Sequence, residues 1–277
     1  MHTVTSKDGS TIAYDRTGSG PVVVLVAPAL ADRSSPEMRE LARLLSDRCT
    51  VINYDRRGRG DSTDNGAATD ADLLQREIED ISALIEAEGG SAAIWGWSSG
   101  GALAVRAAAA GIGVNRVSVY EVPFMVDPGH NYPTPDYAER QDELVAAGDR
   151  AGAVKHFMRN AIGVPSFVVW TMRVMPMWKG LLANAHTLGY DWAALGKHTM
   201  YGAALDPAEF APVSMPAQVV YGSKSPSPLR QGSRALAEVL PSAELVVQEG
   251  VGHAVKPAKL APVLAGFVTG SVPGAPA

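Results

Sequence analysis

AAIWGWSSGG, residues 92–101, passes from the apolar run Ala92-Ala93-Ile94-Trp95 through Gly96-Trp97-Ser98-Ser99-Gly100 into an alanine-rich segment. A short apolar run ended by glycine reads as a buried strand, and the alanines after it read as a helix. Gly96 and Gly100 stand two residues either side of Ser98. That spacing suits a tight strand-to-helix turn, where only glycine fits beside the serine and Oγ is exposed at the carboxyl end of a sheet. The bland reading, glycine to turn and serine to cap, is disfavoured by the strand and helix on its flanks. A nucleophile at Ser99 breaks the glycine spacing.

Outward from this turn the chain alternates short β-rich runs with helical patterns. Thr11 to Tyr14, Val22 to Val26, Thr50 to Tyr54 and Val117 to Tyr120 read as strands. Helices are expected from Ser35-Pro36-Glu37 onward, with Ser35 as cap, over Asp72–Glu88, and over Ala102–Ala110. After Val119-Tyr120 the rhythm stops: residues 127–206 hold helical patterns and no clear β run. The alternation resumes with Gln218–Tyr221, Ser233–Leu240, Glu244–Gln248 and Pro257–Val268. The expected architecture is α/β, a doubly wound, mainly parallel sheet in residues 1–126 and 207–270 with a helical cap inserted at 127–206. Residues 271–277 are expected to form a flexible tail.

Composition narrows the function classes. Of 277 residues 46% are hydrophobic and 19% charged, and the formal charge of −5 is well mixed along the chain, so no basic patch argues for nucleic acid or anionic lipid. The longest apolar run, Val22 to Leu30, is interrupted by Pro28 and is far short of the ~20 residues of a membrane helix. The first twenty residues lack a basic start followed by an apolar core. A cytoplasmic protein is expected. The single cysteine, Cys49, precedes Val51-Ile52 and is expected to be a buried structural thiol.

A serine at its ordinary pKa is inert, so a base must take its proton. Of the six histidines, His2 is expected before the first strand, and His130, His156, His186 and His198 fall in the inserted segment. His253, in Glu249-Gly250-Val251-Gly252-His253, follows the last β run and precedes the last helix, where the base belongs. For the acid, one place is the loop after Val219-Val220-Tyr221, but Ser225 stands where an aspartate is expected. The other is Glu121, at the end of Val117–Tyr120, where a carboxylate can fix the imidazole tautomer and offset its charge. Asp127 and Asp206 are the fallbacks. The oxyanion site should combine the Ser99 amide with one from Ala27-Pro28-Ala29-Leu30; Pro28 has no N–H, which leaves Ala29, with Leu30 next.

Gly58-Arg59-Gly60 lacks the third glycine of a dinucleotide fingerprint and opens no helix, so it reads as a structural loop in which Asp55 pairs locally with an arginine. The stripe Trp170, Met172, Met175, Met177 and Trp178 reads first as cap packing. Leu30, Trp97, Trp170 and Trp178 are the residues expected at a substrate pocket.

Together, GWSSG, YDRRGRGDS at 54–62, the late histidine and the helical insertion resemble the α/β-hydrolase fold. Within it the chain is similar to small bacterial serine hydrolases with a Tyr-Glu-Pro-Pro-Phe-like element after the sixth strand, here Tyr120-Glu121-Val122-Pro123-Phe124. The chain departs from that pattern at Ala27-Pro28, where His-Gly is usual, and at Ser225. The resemblance implies a doubly wound sheet, a lid and a Ser-His-acid triad, whose roles map to Ser98, His253 and Glu121; no cofactor or metal is expected, and the expected partner is a small-molecule substrate with an apolar portion. Ester, thioester or lactone hydrolysis is the expected chemistry. Lyase, cyclase or C–C-cleaving chemistry on the same scaffold is the alternative, and a binding protein the third reading.

Overall fold

The computed structural model describes residues 1–66, 70–127 and 133–270. The proposed flexible tail at 271–277, and His130, lie outside them. The chain order is β1 (His2–Thr5), β2 (Thr11–Thr17), β3 (Val22–Val26), α1 (Pro36–Leu45), β4 (Thr50–Tyr54), α2 (Asp70–Ala87), β5 (Ala92–Trp97), α3 (Ser99–Ala109) and β6 (Val114–Tyr120). Six α-helices follow: α4 (Tyr137–Ala146), α5 (Arg150–His156), α6 (Ser166–Met172), α7 (Met177–Asn184), α8 (Leu188–Leu195) and α9 (Pro207–Phe210). Then come β7 (Ala217–Gly222), α10 (Ser227–Val239), β8 (Ala243–Gln248) and α11 (Pro257–Thr269).

The eight strands form one sheet in the order β1-β2-β4-β3-β5-β6-β7-β8. β1–β2 and β2–β4 pair antiparallel, and every pair from β4 onward is parallel. Period-2 alternation explains why helices must cover both faces. Val24 and Val26 of β3 join Ile52, Ile94 and Val119 in a core under α2, α3 and α10, whereas Val23 and Leu25 join Val51, Trp95 and Val220 under α1 and α11. Each such fully buried aliphatic side chain stabilises the fold by about 1.5–3 kcal/mol. A third apolar cluster joins Leu30 to Ala153, Val154, Val169, Trp178, Ala185 and Leu188 of the inserted helices.

Several local expectations shift. His2 lies within β1, paired with Tyr14, and does not precede the first strand. Its strand is short and polar and gives no periodic signal. Ser35 stands at the N-cap of α1 without capping it; its Oγ instead accepts from the Asp32 N–H at 3.2 Å. Asp55 pairs with Arg33, twenty-two residues earlier, rather than with an arginine of its own loop. Cys49 is fully buried, and burial pushes its thiol up. No helix among the described residues is long and apolar enough to cross a membrane.

Candidate active site

Ser98 sits between β5 and α3, with Gly101 and Ala102 donating back to its carbonyl at 2.8 and 3.3 Å. Its backbone is at φ 56°, ψ −125°, a conformation that side chains rarely adopt and that costs on the order of 1–3 kcal/mol. The two glycines are required here. A Cβ on Gly100 would meet the Val26 and Ala27 carbonyl oxygens at 2.5 and 2.6 Å, and one on Gly96 would collide with the Gly100 carbonyl. Among the described residues the positive-φ positions other than glycine are Leu30, Ser98 and Glu121. They lie just beyond the carboxyl ends of β3, β5 and β6, so the strain is concentrated where the three loops converge.

The strain at Glu121 aims its carboxylate into the protein. Glu121 is fully buried, and Oε2 lies 2.9 Å from His253 Nδ1. The other oxygen, Oε1, accepts from the Gly222 N–H at 2.7 Å and from the Ser225 hydroxyl. Ser225, at the position where the loop after β7 is expected to carry an aspartate, thus supports the carboxylate that stands at the imidazole. His253 is itself held by its backbone: its carbonyl accepts from Trp97 Nε1 at 3.1 Å, and the adjacent Gly252 carbonyl accepts from the Tyr120 hydroxyl at 2.7 Å. Trp97 and Tyr120 each immediately precede a site residue, so the frame around Ser98, Glu121 and His253 is tied to the strand ends. The Ser98 N–H donates to the Tyr120 carbonyl at 2.9 Å. Ser98 and His253 are both partly exposed, and among the hydrogen bonds of the described residues none joins Ser98 Oγ to the imidazole.

The other candidates have other occupations. Asp206 caps α9 by accepting from the Ala208 N–H. His156 is bonded to the Tyr137 carbonyl and to Asn160, and His198 to Glu209. Trp178 is buried in the same cluster as Leu30, and Trp97 packs on the His253 ring at 6.0 Å between centroids. Trp170 is 68% exposed and lies outside that cluster.

The loop after β3 is held by arginines of the Gly58-Arg59-Gly60 segment and its neighbours, which do more than shape their own loop. Arg59 Nη1 donates to the Pro28 and Ala31 carbonyls at 2.8 and 3.0 Å, and Arg56 Nη1 to the Ala27 carbonyl at 3.3 Å. Asn184 of α7 donates to the Leu30 carbonyl at 3.2 Å. Arg56, Arg57 and Arg59 are all at most 1% exposed, neutralised by Glu77, Asp80, Asp8, Asp64 and Asp191. In the sequence the network shows as the arginine cluster of YDRRGRGDS and as the lone charge of Asp191 within the otherwise uncharged LGYDWAAL. Among the described residues no group of three or more His, Cys, Asp or Glu side chains is placed to hold a metal.

A family model described as the alpha/beta hydrolase family matches residues 23–263. The chain belongs to that family. An α/β hydrolase from Sphaerobacter thermophilus DSM 20745 is 44% identical, superimposes with a TM-score of 0.86, and is covered over 99% of its length by 96% of this chain. A thermophilic esterase from Thermogutta terrifontis shares 22% identity at a TM-score of 0.65, over 95% of this chain and 94% of its own. The enol-lactonase from Burkholderia xenovorans LB400 shares 19% at 0.64, over 97% of this chain and 100% of its own. At those identities the last two speak for the fold alone. No curated protein matches the chain. Family membership and the mainly parallel eight-stranded sheet agree with the architecture expected from the sequence.

Proposed function

We propose that the protein hydrolyses a carboxylic ester, thioester or lactone through an acyl-enzyme on Ser98. The observation that carries this reading is the chain of contacts from Ser225 and Gly222 through Glu121 to His253 Nδ1, at the same carboxyl end of the sheet as the strained Ser98. A carboxylate at Nδ1 keeps that nitrogen protonated and leaves Nε2 free to accept a proton. Ser98 Oγ then bonds to the substrate carbonyl carbon as its proton passes to His253 Nε2. The carbonyl oxygen, now anionic, takes hydrogen bonds from the Ser99 and Ala29 amides. As the carbonyl re-forms, the C–O or C–S bond to the leaving group breaks and His253 returns the proton to that group. Water adds to the acyl carbon by the same route, giving up one proton to His253, and the acid leaves as Ser98 recovers its own. In this reading residues 127–206 cap the site and bring Trp178 and Leu30 together against an apolar part of the substrate.

Hydrolysis of a short-chain aryl ester by wild-type protein and by Ser98→Ala, with fluorophosphonate labelling mapped by mass spectrometry, tests this. The expected result is labelling at Ser98 and loss of turnover in the variant. Full turnover by a folded Ser98→Ala protein removes the acyl-enzyme.

A further inference from the structure

Asp191 is the one charged residue of α8, which lies among the helices inserted between β6 and β7, and it is 3% exposed. Its carboxylate reaches back into the core and touches three groups. Oδ1 accepts from Ser99 Oγ at 2.8 Å and from Arg56 Nη1; Oδ2 accepts from Arg59 Nη2 at 2.7 Å. The remaining donors of Arg56 grip Glu77 at 2.6 Å and the Ala27 carbonyl, and those of Arg59 grip Thr187 Oγ1 at 2.9 Å and the Pro28 and Ala31 carbonyls.

A planar trans peptide points its carbonyl oxygen and the following N–H in opposite directions, and the described chain has no cis peptide. Fixing the Pro28 oxygen on Arg59 therefore turns the Ala29 N–H to the side away from the arginine. Ser99, held through its hydroxyl, carries the other amide required at the oxyanion. Neither amide has a hydrogen-bond acceptor among the described residues, so both are available. Asp191 is thus the point through which the Ser99 side chain and the arginine behind Ala29 are tied together. For stability alone a buried ion network gains little over apolar packing of the same volume. Geometry at the Ser99 and Ala29 amides is what this one supplies.

We propose that Asp191 is a positioning residue for the oxyanion hole, a carboxylate from the inserted helices that aligns both amide donors through Ser99 and Arg59. The inference rests on the acyl-enzyme reading above, since an oxyanion hole has a role only if Ser98 forms a tetrahedral adduct.

The test compares wild type, Asp191→Asn, Arg59→Lys and Ser99→Ala. It measures kcat and KM on an aryl ester, affinity for phenylboronic acid (which forms a tetrahedral adduct on the serine) and fluorophosphonate labelling of Ser98. Asp191→Asn should lower kcat and boronate affinity together by about ten- to a hundredfold, below the roughly 10²–10³ that complete loss of one donor costs. KM should stay within about threefold, because ground-state binding is untouched. Arg59→Lys, which keeps the charge and loses the fork on Pro28 and Ala31, should show the same paired loss. A double variant combining Asp191→Asn with Arg59→Lys should lose no more than the more impaired of the two singles, since both act through one connection. A folded Asp191→Asn that retains kcat and boronate affinity, or loses kcat with boronate affinity unchanged, overturns the assignment. Should Asp191→Asn not fold, Arg59→Lys and Ser99→Ala decide it in the same way. Failure of the wild type to be labelled at Ser98 sinks the acyl-enzyme reading instead, whereas a labelled wild type with an unaffected Asp191→Asn sinks only this one.

Discussion

Glu121→Gln is the substitution on which the proposed mechanism is most exposed. Glu121 Oε1 takes the Gly222 N–H and the Ser225 hydroxyl, and Oε2 faces His253 Nδ1. Glutamine offers one acceptor oxygen and one donor NH₂. With its oxygen toward Gly222, its NH₂ faces Nδ1 and selects the imidazole tautomer that carries its proton on Nε2, which cannot accept one from Ser98. Turning the amide over restores the tautomer but sets NH₂ against the Gly222 N–H, a buried donor left without an acceptor, at about 1–3 kcal/mol. That is about ten- to a hundredfold in rate. The lost charge opposite the imidazolium converts a charge-assisted contact into a neutral one, about 1.5–3 kcal/mol in addition and a similar factor again. The expected fall in kcat is therefore about 10²–10⁴, and the amide replacement in a Ser-His-Asp triad costs about 10⁴. Stopped-flow hydrolysis of an aryl ester, with the active fraction titrated by fluorophosphonate and folding checked by thermal melting, measures it. A folded variant within about tenfold of wild type refutes the assignment of Glu121 to the imidazole.

Three further outcomes follow from the packing and the charges. Gly100→Ala drives a Cβ into two backbone carbonyls of β3 and its loop and should cost about 1–3 kcal/mol or more, whereas Gly180→Ala, with open space around it in α7, should stabilise by about 0.5–1 kcal/mol; opposite shifts in melting temperature check the pair. Trp178→Ala, losing a buried ring from the cluster that also holds Leu30, should cost about 3–5 kcal/mol, and Trp170→Ala, at a 68% exposed site, less than about 0.5; equal urea midpoints contradict this packing. Burial opposes ionisation of Asp191, but the Arg56 and Arg59 charges and the Ser99 hydroxyl outweigh it and hold the carboxyl below its ordinary value, with Glu77 facing the same arginines. A carboxyl more acidic folded than unfolded adds stability that is whole above its unfolded value, about 3.9, and is lost as pH falls through the folded one. The stability gap between wild type and Asp191→Asn, from urea unfolding, should accordingly hold from neutrality to about pH 4 and narrow below it; a gap constant down to pH 3 contradicts the network.

Local chemistry made much of the scaffold readable. The strands Val22–Val26 and Thr50–Tyr54 have the bounds read from their apolar runs, because buried parallel strands need apolar residues on both faces. α3 begins at Ser99 rather than near Ala102, because the turn at Ser98 leads directly into helix and its two glycines hide the helical pattern. α8 went unread: its eight residues are nearly all apolar and buried, so the one polar side chain that matters looked like an interruption of packing.

The same division holds at the site. The glycine spacing at 96–100, the serine between them, the histidine after β8 and the glutamate after β6 are one-dimensional signals, because each is a demand of a single turn or strand end on its own residues. What Glu121, Ser225 and Asp191 touch is decided by contacts between residues far apart in the chain: Glu121 meets His253 across 132 positions, and Asp191 meets Ser99 across 92 and Arg56 across 135. No period or propensity links such positions. They are brought together by the parallel crossovers that stack the strand ends and by the inserted helices that lay a buried carboxylate against the arginines that hold the loop after β3. Strands, most of the core helices and the tight turn at Ser98 are thus legible along the chain, because each is a local demand; α8 and the charges that stand behind the turn come only from long-range packing.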